Sequence, residues 1–539
     1  MAKQHEVLMR FGMSLPRVRS WSAWTARLLA SLGGWALALS LASCLMGPDY
    51  RRPEVAVPER WDALMLDGAE MPSPALREDE TPSAEWWTVF QDEELTRLVE
   101  LALQNNHDVR EAGYRVLEAR ALVTAAGAGL YPQLNVAGSY SRIRRSETIL
   151  VGPTSGAPEG FAPPGANFDI WNALLDLRWE LDLWGKIRRS LEAAEAEAEA
   201  VAIDRRGVLL SLIGDVGQTY FRLRELDDVI DITRRHMRLR EDSLALLRAQ
   251  AKAGLIDDLD LRRAEQLVAE TAAQLPELER RRALEAHRLA VLTGTMPNAL
   301  ELESRPLRAH LVQPVVPMGV PAQLLERRPD IIQVERSLVA ANARIGEARA
   351  YFFPSVAITG TGGFQTSEFQ DWFNWASRSM SIGPSVTVPI FEGYTNVARL
   401  EVAEARYRQM LERYHQTILT AVREVSDLLT ALQTRTAQLE QVRARVRAAQ
   451  AARELAELRY RKGLVTYLDV IDAQRTVLTA EQALVQVERA RLEELVALFK
   501  AIGGGWDAAD RTGLAEDYDI HETGEAEKRP SVQNRDDKR

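Results

Sequence analysis

The single cysteine, Cys44, is the residue whose type and setting most clearly predict a covalent modification. It ends the run Leu41-Ala42-Ser43-Cys44, in which a branched residue and two small residues precede the thiol. This spacing is typical of a bacterial lipoprotein cleavage box, where the cysteine accepts lipid and becomes the first residue of the mature chain. The alternative is a buried thiol within an ordinary leader.

The segment before Cys44 supports the lipoprotein interpretation. An uncharged apolar stretch, residues 28–42, follows a leader that contains four arginines, Arg10, Arg17, Arg19 and Arg27. The stretch is shorter than the roughly 20 residues of a membrane-spanning helix and suits the core of a signal peptide. We therefore expect residues 1–43 to be a lipoprotein signal peptide. Leucine at position 45, where aspartate would retain a lipoprotein at the inner membrane, favours the outer membrane.

Other chemistry has little support in the sequence. The seven histidines are scattered, and neither an H-E-x-x-H zinc motif nor a G-x-x-x-x-G-K-[ST] phosphate loop occurs. One cysteine allows no intrachain disulfide and no cysteine-based zinc site, and the pair Asp257-Asp258 is interpreted as a helix cap. Because the net charge is −10, nucleic acid is not an expected partner. We expect no enzyme activity, no metal and no cofactor.

A long internal repeat organises the chain after the leader. Tyr131-Pro132 recurs as Phe353-Pro354 at an offset of 222 residues, and Gly254-Leu255 recurs as Gly463-Leu464 at an offset of 209. The difference between the two offsets indicates an insertion in the first repeat. Its expected place is a loop from Thr148 to Ala166, which is rich in glycine and proline.

Each repeat has the same predicted order: helix, strand, loop, strand, long helix, turn and helix. The first helix is expected over about Asp92 to Gly127, and over Pro321 to Ala350 in the second repeat. Long helices without proline are expected over Gly185 to Lys252 and Gly393 to Arg461. Each would extend about 100 Å, which requires packing in a coiled coil or a helical array.

Alternation with a period of two predicts four strands, two in each repeat. They are expected over Gln133 to Tyr140, Asn172 to Leu183, Ser355 to Phe364 and Ser379 to Ile390. In the second strand, for example, Leu175, Leu177 and Trp179 alternate with polar residues. This pattern fits half-buried strands in a soluble β-sandwich. It also fits strands that face lipid on one side and water on the other.

Membrane-spanning strands would require several chains to assemble. No stretch after the leader is long and apolar enough for a membrane-spanning helix, so only the strands could cross a membrane. Four strands in hydrocarbon leave two unpaired edges, where each unsatisfied peptide group costs several kcal/mol. Two chains would give eight strands, and three would give twelve with room for a pore. The sequence leaves this number open.

The turns after the long helices have well-marked helix-ending and helix-capping residues. Gly254 and Gly463 suit the left-handed position that closes a helix. The next helices can be capped by Asp257 and Thr466, each followed by an aspartate at the spacing of a capping box, Asp260 and Asp469. These turns are therefore predicted to be the tips of helix hairpins.

Several short runs resemble the outer membrane factors, the TolC-like channels, in their NodT-type lipoprotein branch. The resemblance covers Cys44 to Trp506. It rests on Gly47-Pro48-Asp49-Tyr50, Trp86-Trp87, Trp179-Glu180-Leu181-Asp182-Leu183-Trp184-Gly185, Leu325-Glu326-Arg327-Arg328-Pro329-Asp330, Tyr467-Leu468-Asp469-Val470-Ile471-Asp472-Ala473-Gln474-Arg475 and Gly503-Gly504-Gly505-Trp506. The acidic tail beyond Trp506 lies outside the resemblance and is expected to be disordered.

The resemblance implies an α+β membrane protein with two tandem repeats, each a β-hairpin plus long α-helices. Three chains would form a twelve-stranded transmembrane β-barrel continuous with a periplasmic α-helical barrel. The implied parts are a signal peptide (1–43), an N-terminal lipid-anchored extended segment (44–91), the first repeat (92–300), a linker (301–320), the second repeat (321–505) and the tail (506–539). The implied location is the bacterial outer membrane, with a large periplasmic part.

The resemblance also implies partners: a periplasmic adaptor protein and an inner-membrane pump. The hairpin tips, Gly254-Leu255 and Gly463-Leu464, would dock the adaptor. A periplasmic gate would be formed by three residues that share one helix face, Leu468, Asp472 and Arg475. A link between Asp472 and Arg475, within or between chains, would hold it closed. The first repeat has Leu259, Arg263 and Gln266 at the corresponding positions, so the hairpins should not open equivalently.

Three functions are compatible with these features. The leading one is a passive exit duct for drugs and toxic compounds, since a separate pump would account for the missing nucleotide motif. An outer-membrane component of a type I protein-secretion system would use the same architecture. A lipid-anchored coiled-coil scaffold without a pore would leave the four alternating strands without a role. The sequence identifies neither the exported compounds nor the pump and adaptor.

Overall fold

The structure, a computed structural model, describes residues 45–58, 61, 65–66, 69–70, 76–77, 83–144, 146, 167–254, 256–307, 316–317 and 321–504. The predictions for the leader 1–43, Cys44, the loop 148–166, Leu255 and the tail 506–539 lie outside these residues. The chain divides into two compact units. One, the strand unit, comprises Met1–Tyr50, Thr124–Ala193 and Asn342–Ala405. The other, the helical unit, comprises Arg51–Val123, Ala194–Ala341 and Arg406–Arg539.

The strand unit is built on one antiparallel sheet with the order β1-β2-β3-β4. Its strands are β1 (Gln133–Arg144), β2 (Asn167–Leu181), β3 (Ser355–Thr366) and β4 (Arg378–Thr387). The four predicted strands are thus confirmed, with shifted ends. The last strand stops at Thr387 rather than Ile390, because Pro389 has no N–H to donate to the ladder.

Pairing across the sheet joins the two sequence repeats. Leu177 of β2 lies opposite Leu134 of β1 and opposite Gly360 of β3, and Gly360 lies opposite Ile382 of β4. Because neighbours in register point to the same side, the alternating apolar positions of all four strands lie on one face. The alternating polar positions lie on the other face.

Eight α-helices are described. They are α1 (Glu93–Asn105), α2 (His107–Gly127), α3 (Lys186–Lys252), α4 (Asp258–Leu292), α5 (Leu324–Arg327), α6 (Pro329–Ala350), α7 (Thr395–Arg461) and α8 (Tyr467–Ala501). The long helices α3 and α7 have 67 residues each, as predicted to within two residues at either end. No helix in the described part of the chain is both long and apolar enough to cross a membrane.

Short elements complete the described chain. Five are 3-10 helices: Trp86–Phe90, Ala128–Leu130, Pro321–Gln323, Phe369–Asp371 and Trp375–Ser377. Four are two-residue strands, of which Met65–Leu66 pairs with Ala69–Glu70 and Leu76–Arg77 pairs with Val316–Pro317.

The first helix of each repeat is interrupted, which the sequence analysis did not predict. Asn106 is extended, and its side chain accepts hydrogen bonds from the N–H groups of Asp108 and Val109, so it caps α2 as a new helix. In the second repeat Arg328 is extended (ψ 120°), because a residue before proline is disfavoured in the helical conformation. Both repeats therefore begin with a helix pair rather than one helix.

The predicted turns after the long helices are confirmed. Gly254 and Gly463 have φ values of 68° and 70°, and the Leu464 N–H donates to the Arg459 carbonyl at 2.9 Å in the arrangement that closes a helix. Thr466 forms the predicted capping box with Asp469. At the other tip Asp257 caps α4 through the Leu259 N–H, without the expected contribution of Asp260.

The described core of the helical unit forms three clusters, one of which packs α7 against α8 around Val477 and Leu484. The largest cluster surrounds Trp86, Phe90, Tyr220 and Phe499, which are all buried, and Trp86 stacks on Phe499 with ring centroids 5.1 Å apart. A smaller cluster near the tips joins both hairpins. Its buried members are Leu244, Leu247, Ala264, Leu267, Tyr467, Val470 and Ile471.

Candidate functional site

The two faces of the sheet have opposite character. On one face the apolar side chains are exposed or half-buried, and Val136 and Met380 on the edge strands retain 81% and 85% of their accessible surface. The other face has Asn135, Asp176 and Thr361 side by side in register. An exposed apolar face of this kind is suited to lipid, and the polar face is suited to water.

Aromatic side chains lie at both ends of the apolar face. At one end Trp171 contacts Tyr140, Phe369 and Trp372, with ring centroids 4.2 to 5.1 Å apart. Eight residues further along β2, the Trp179 indole donates to the Leu130 carbonyl at 2.9 Å. Eight strand residues span about 27 Å along the strand, so the aromatic side chains border an apolar band of about that length.

Both edges of the sheet are open within the described part of the chain. In the order β1-β2-β3-β4, β1 and β4 each have one strand partner. Their outer N–H and C=O groups would lack partners in hydrocarbon, where water cannot replace them. The sheet therefore requires further strands at both edges if it spans a membrane.

The residues that follow Cys44 are fixed within the strand unit. The Met46 N–H donates to the Trp184 carbonyl at 3.1 Å, and Arg189 donates through Nε to the Met46 carbonyl and through Nη2 to Asp49. Asn342 donates to the Pro48 carbonyl at 2.8 Å. We call residues 45–50 the N-terminal strap. The strap thus contacts Trp184 just beyond the end of β2.

The second hairpin tip is described in full, and the first is described apart from Leu255. At the second tip Leu464 is 70% exposed, as expected for a docking residue. At the first tip Gly254 is exposed and has nothing within 4 Å of where a Cβ would lie. Leu255, the partner of Leu464 in the repeat, lies outside the described residues.

The three predicted gate residues lie on the exposed surface of α8. Leu468, Asp472 and Arg475 are all exposed, while the neighbouring residues Tyr467 and Ile471 are buried in the cluster near the tips. Burial raises the pKa of the Tyr467 hydroxyl to about 12. The structure thus brings the three side chains onto one exposed surface of α8.

Arg475 forms a link that the sequence analysis missed. Its Nη2 donates to Glu270 Oε2 at 2.8 Å, which joins α8 of the second hairpin to α4 of the first. Within the chain Arg475 therefore pairs with Glu270 rather than with Asp472. No sequence motif could have indicated this pair, because it depends on how the two hairpins pack.

The first hairpin has a different set at the corresponding positions. Leu259 is exposed, and Arg263 lies 3.6 Å from Asp260 on its own helix. The two hairpins of one chain therefore present different charges at this level.

Comparison with known proteins identifies the class. The family model described as outer membrane efflux protein matches residues 98–295 and 320–504, well over half of the chain. The chain belongs to the outer membrane efflux protein family, which confirms the resemblance found in the sequence and the outer-membrane location.

The relatives extend over nearly the whole chain. Outer membrane protein OprJ of Pseudomonas aeruginosa is 34% identical, covering 87% of this chain and 95% of the relative. The toluene efflux pump outer membrane protein TtgI of Pseudomonas putida is also 34% identical, covering 87% and 97%. Among solved structures, the outer-membrane channel OprN is 32% identical with a TM-score of 0.76, covering 86% of this chain and 100% of that one.

Proposed function

We propose that the protein is the outer-membrane channel of a tripartite efflux system. In this role it is a passive exit duct for small molecules that an inner-membrane pump delivers through a periplasmic adaptor. The observation that carries the proposal is the sheet, with its exposed apolar face and two open edges. The relatives support it, since they include a channel and a component of an efflux pump.

Three copies complete the duct in this proposal. The open edge of β4 in one copy pairs with β1 of the next, which closes twelve strands into a barrel and leaves no edge in hydrocarbon. Twelve strands leave room for a lumen, and the face that carries Asp176 and Arg178 lines it. The hairpins α3–α4 and α7–α8 form the α-helical barrel in the periplasm. The pump supplies the energy, so the duct itself needs no nucleotide site.

The proposed domain order follows from this assembly. Residues 1–43 are removed as a signal peptide, and 44–91 form the N-terminal segment that carries lipid on Cys44. The repeats at 92–300 and 321–505 are joined by the linker 301–320, and 506–539 form a disordered acidic tail. The contacts of the N-terminal strap with Trp184 and Arg189 support this placement of the lipid beside the barrel.

The periplasmic end is the proposed gate and docking region. Leu468 narrows the opening, and Asp472 and Arg475 form charged rings when three copies meet on the axis. The Arg475–Glu270 contact supports this, because it joins the two hairpins of a chain at the level of the gate. The tips at Gly254-Leu255 and Gly463-Leu464 dock the adaptor, which the exposure of Leu464 supports.

Two measurements test the proposal. The mature protein is sized by light scattering and inserted into planar bilayers, where we expect trimers and discrete conductance steps. A folded protein without conductance would support the lipid-anchored scaffold instead. Deleting the gene should then sensitise the bacterium to toxic small molecules without changing its secreted proteins. The reverse result would favour type I protein secretion.

A further inference from the structure

Arg240 of α3 is a buried cation that has no carboxylate partner among the described residues. It is 3% exposed, and its Nη1 donates to the hydroxyl of Thr271 on α4. Thr271 in turn donates to the Leu267 carbonyl at 2.7 Å. Nε and Nη2 of Arg240 are also buried, and no described residue accepts a hydrogen bond from either. A buried guanidinium with two unpaired donors is unfavourable, because it has lost water without gaining acceptors.

The two unpaired donors form the edge with which arginine binds a carboxylate side-on. Arg328 of the same chain shows the geometry, since its Nε and Nη2 donate to the two oxygens of Asp330 at 3.0 and 2.7 Å. Such two-point contacts are stronger than a single hydrogen bond and select planar acids. Arg240 therefore presents a carboxylate-binding edge inside the hairpin.

The carboxylate whose charge acts on Arg240 is Glu270, the neighbour of Thr271 in α4. Burial lowers the pKa of Arg240, the negative charge of Glu270 opposes that shift, and the positive charge of Arg475 adds to it. Glu270 itself is bound to Arg475 at 2.8 Å, with side-chain exposures of 49% and 43%. Ion pairs this exposed contribute little to stability, because water screens them. Glu270 thus pairs with the exposed guanidinium of Arg475 rather than with the buried guanidinium of Arg240.

We propose that Glu270 is an exchangeable carboxylate, bound to Arg475 when the hairpins are joined and to Arg240 when they separate. The exchange rests on the gate of the proposed function and adds a mechanism to it. Transfer to Arg240 provides two new hydrogen bonds and neutralises a buried charge, while little is lost at the exposed Arg475 contact. Separating the hairpins therefore costs little at this position.

Hydrogen exchange of the trimer tests the exchange without reference to conductance. Glu270→Gln and Arg240→Met are made singly and together, in the wild-type background and in Arg475→Ala. In each background, amide protection at residues 268–272 is compared between the two single variants and the double variant. The departure of the double variant from the combined single effects gives the coupling between Glu270 and Arg240. We expect coupling near onefold in the wild type and about tenfold in Arg475→Ala, a typical size for coupled sites. Arg235→Met, on the exposed surface of the same helix and paired with Asp231, is the matched control and should show no coupling.

Equal coupling in both backgrounds, or none in Arg475→Ala, overturns the proposal. Arg240→Lys is a second variant that keeps the charge but loses the two-donor edge, and it should reduce the coupling rather than abolish it. If Arg475→Ala shows the coupling but conducts no better than wild type, the exchange stands and the gate assignment fails. If it conducts better but shows no coupling, the gate stands and the exchange fails.

Discussion

His236 Nε2 of α3 lies 3.0 Å from Glu481 Oε2 of α8 inside the helical unit. Gln450 of α7 donates to the other carboxylate oxygen at 2.7 Å. One buried carboxylate thus connects α3 of the first hairpin with α7 and α8 of the second. The hydrogen bond with His236 holds the pKa of Glu481 below its ordinary value, which burial alone would raise.

The first prediction concerns the pH dependence of this contact. Because its pKa is lowered in the folded state, Glu481 contributes stability that is present above the unfolded pKa of about 4.3. That contribution is lost as the pH falls through the lower folded value. We expect Glu481→Gln to reduce the free energy of unfolding at pH 7 by about 1–3 kcal/mol, and the difference to shrink below about pH 4.

Denaturant unfolding of variant and wild type from pH 3 to 8 measures this difference. Glu241→Gln changes an exposed residue of α3 and is the control, with little effect at any pH. A difference for Glu481→Gln that does not vary with pH would contradict the assigned role of its ionised form.

The second prediction concerns the N-terminal strap. A Cβ added to Gly346 would lie 2.5 Å from the Met46 carbonyl oxygen and 2.9 Å from the Arg189 side chain. Because neither distance is tolerable, Gly346→Ala should displace the strap and cost about 1–3 kcal/mol. Limited proteolysis should then cleave near residues 45–50. Gly362→Ala, at a position with open space around it, should leave the strap protected; equal cleavage of the two variants would count against the contact.

Much of the fold follows from local sequence signals, but the contacts between hairpins do not. Period-two alternation located the strands, and Gly254 and Gly463 located the turns, because these features depend on neighbouring residues alone. The expected first helix is interrupted at Asn106, which caps α2. In the sequence nothing distinguishes this asparagine from one on a helix surface, so its capping role was not predictable. The Arg475–Glu270 pair joins residues 205 positions apart and follows only from packing.

The third prediction concerns the lipid anchor. Cys44→Ser should remove the acyl mass from the mature N-terminus, because serine lacks the thiol that accepts lipid. Each acyl CH₂ buried in the bilayer contributes about 0.8 kcal/mol to the free energy of membrane binding, so several acyl chains anchor a protein stably. The sheet should still insert, since its apolar face does not depend on the anchor. Intact-mass spectrometry checks the result, and an acylated Cys44→Ser chain or an uncleaved wild-type leader would exclude this assignment.

The fourth prediction concerns the docking tips. Replacing Leu255 and Leu464 by aspartate adds a charge where an apolar side chain would contact the adaptor. We expect adaptor affinity to fall at least about tenfold, equivalent to about 1.4 kcal/mol, while trimer size stays the same. Val291→Asp changes an equally exposed residue at the opposite end of α4 and should bind normally. Unchanged affinity in a folded double variant would show that the adaptor docks elsewhere.

The fifth prediction concerns the gate. Asp472→Ala with Arg475→Ala should raise single-channel conductance in bilayers without adaptor, because it removes both charged rings and the contact with Glu270. Arg475→Ala alone should have a larger effect than Asp472→Ala alone, since of these two residues Arg475 is the one with a described contact to the other hairpin. Arg263→Ala, at the corresponding position of the first hairpin, is the matched control and should conduct like wild type. If the folded double variant conducts no better than wild type, Leu468, Asp472 and Arg475 do not form the gate.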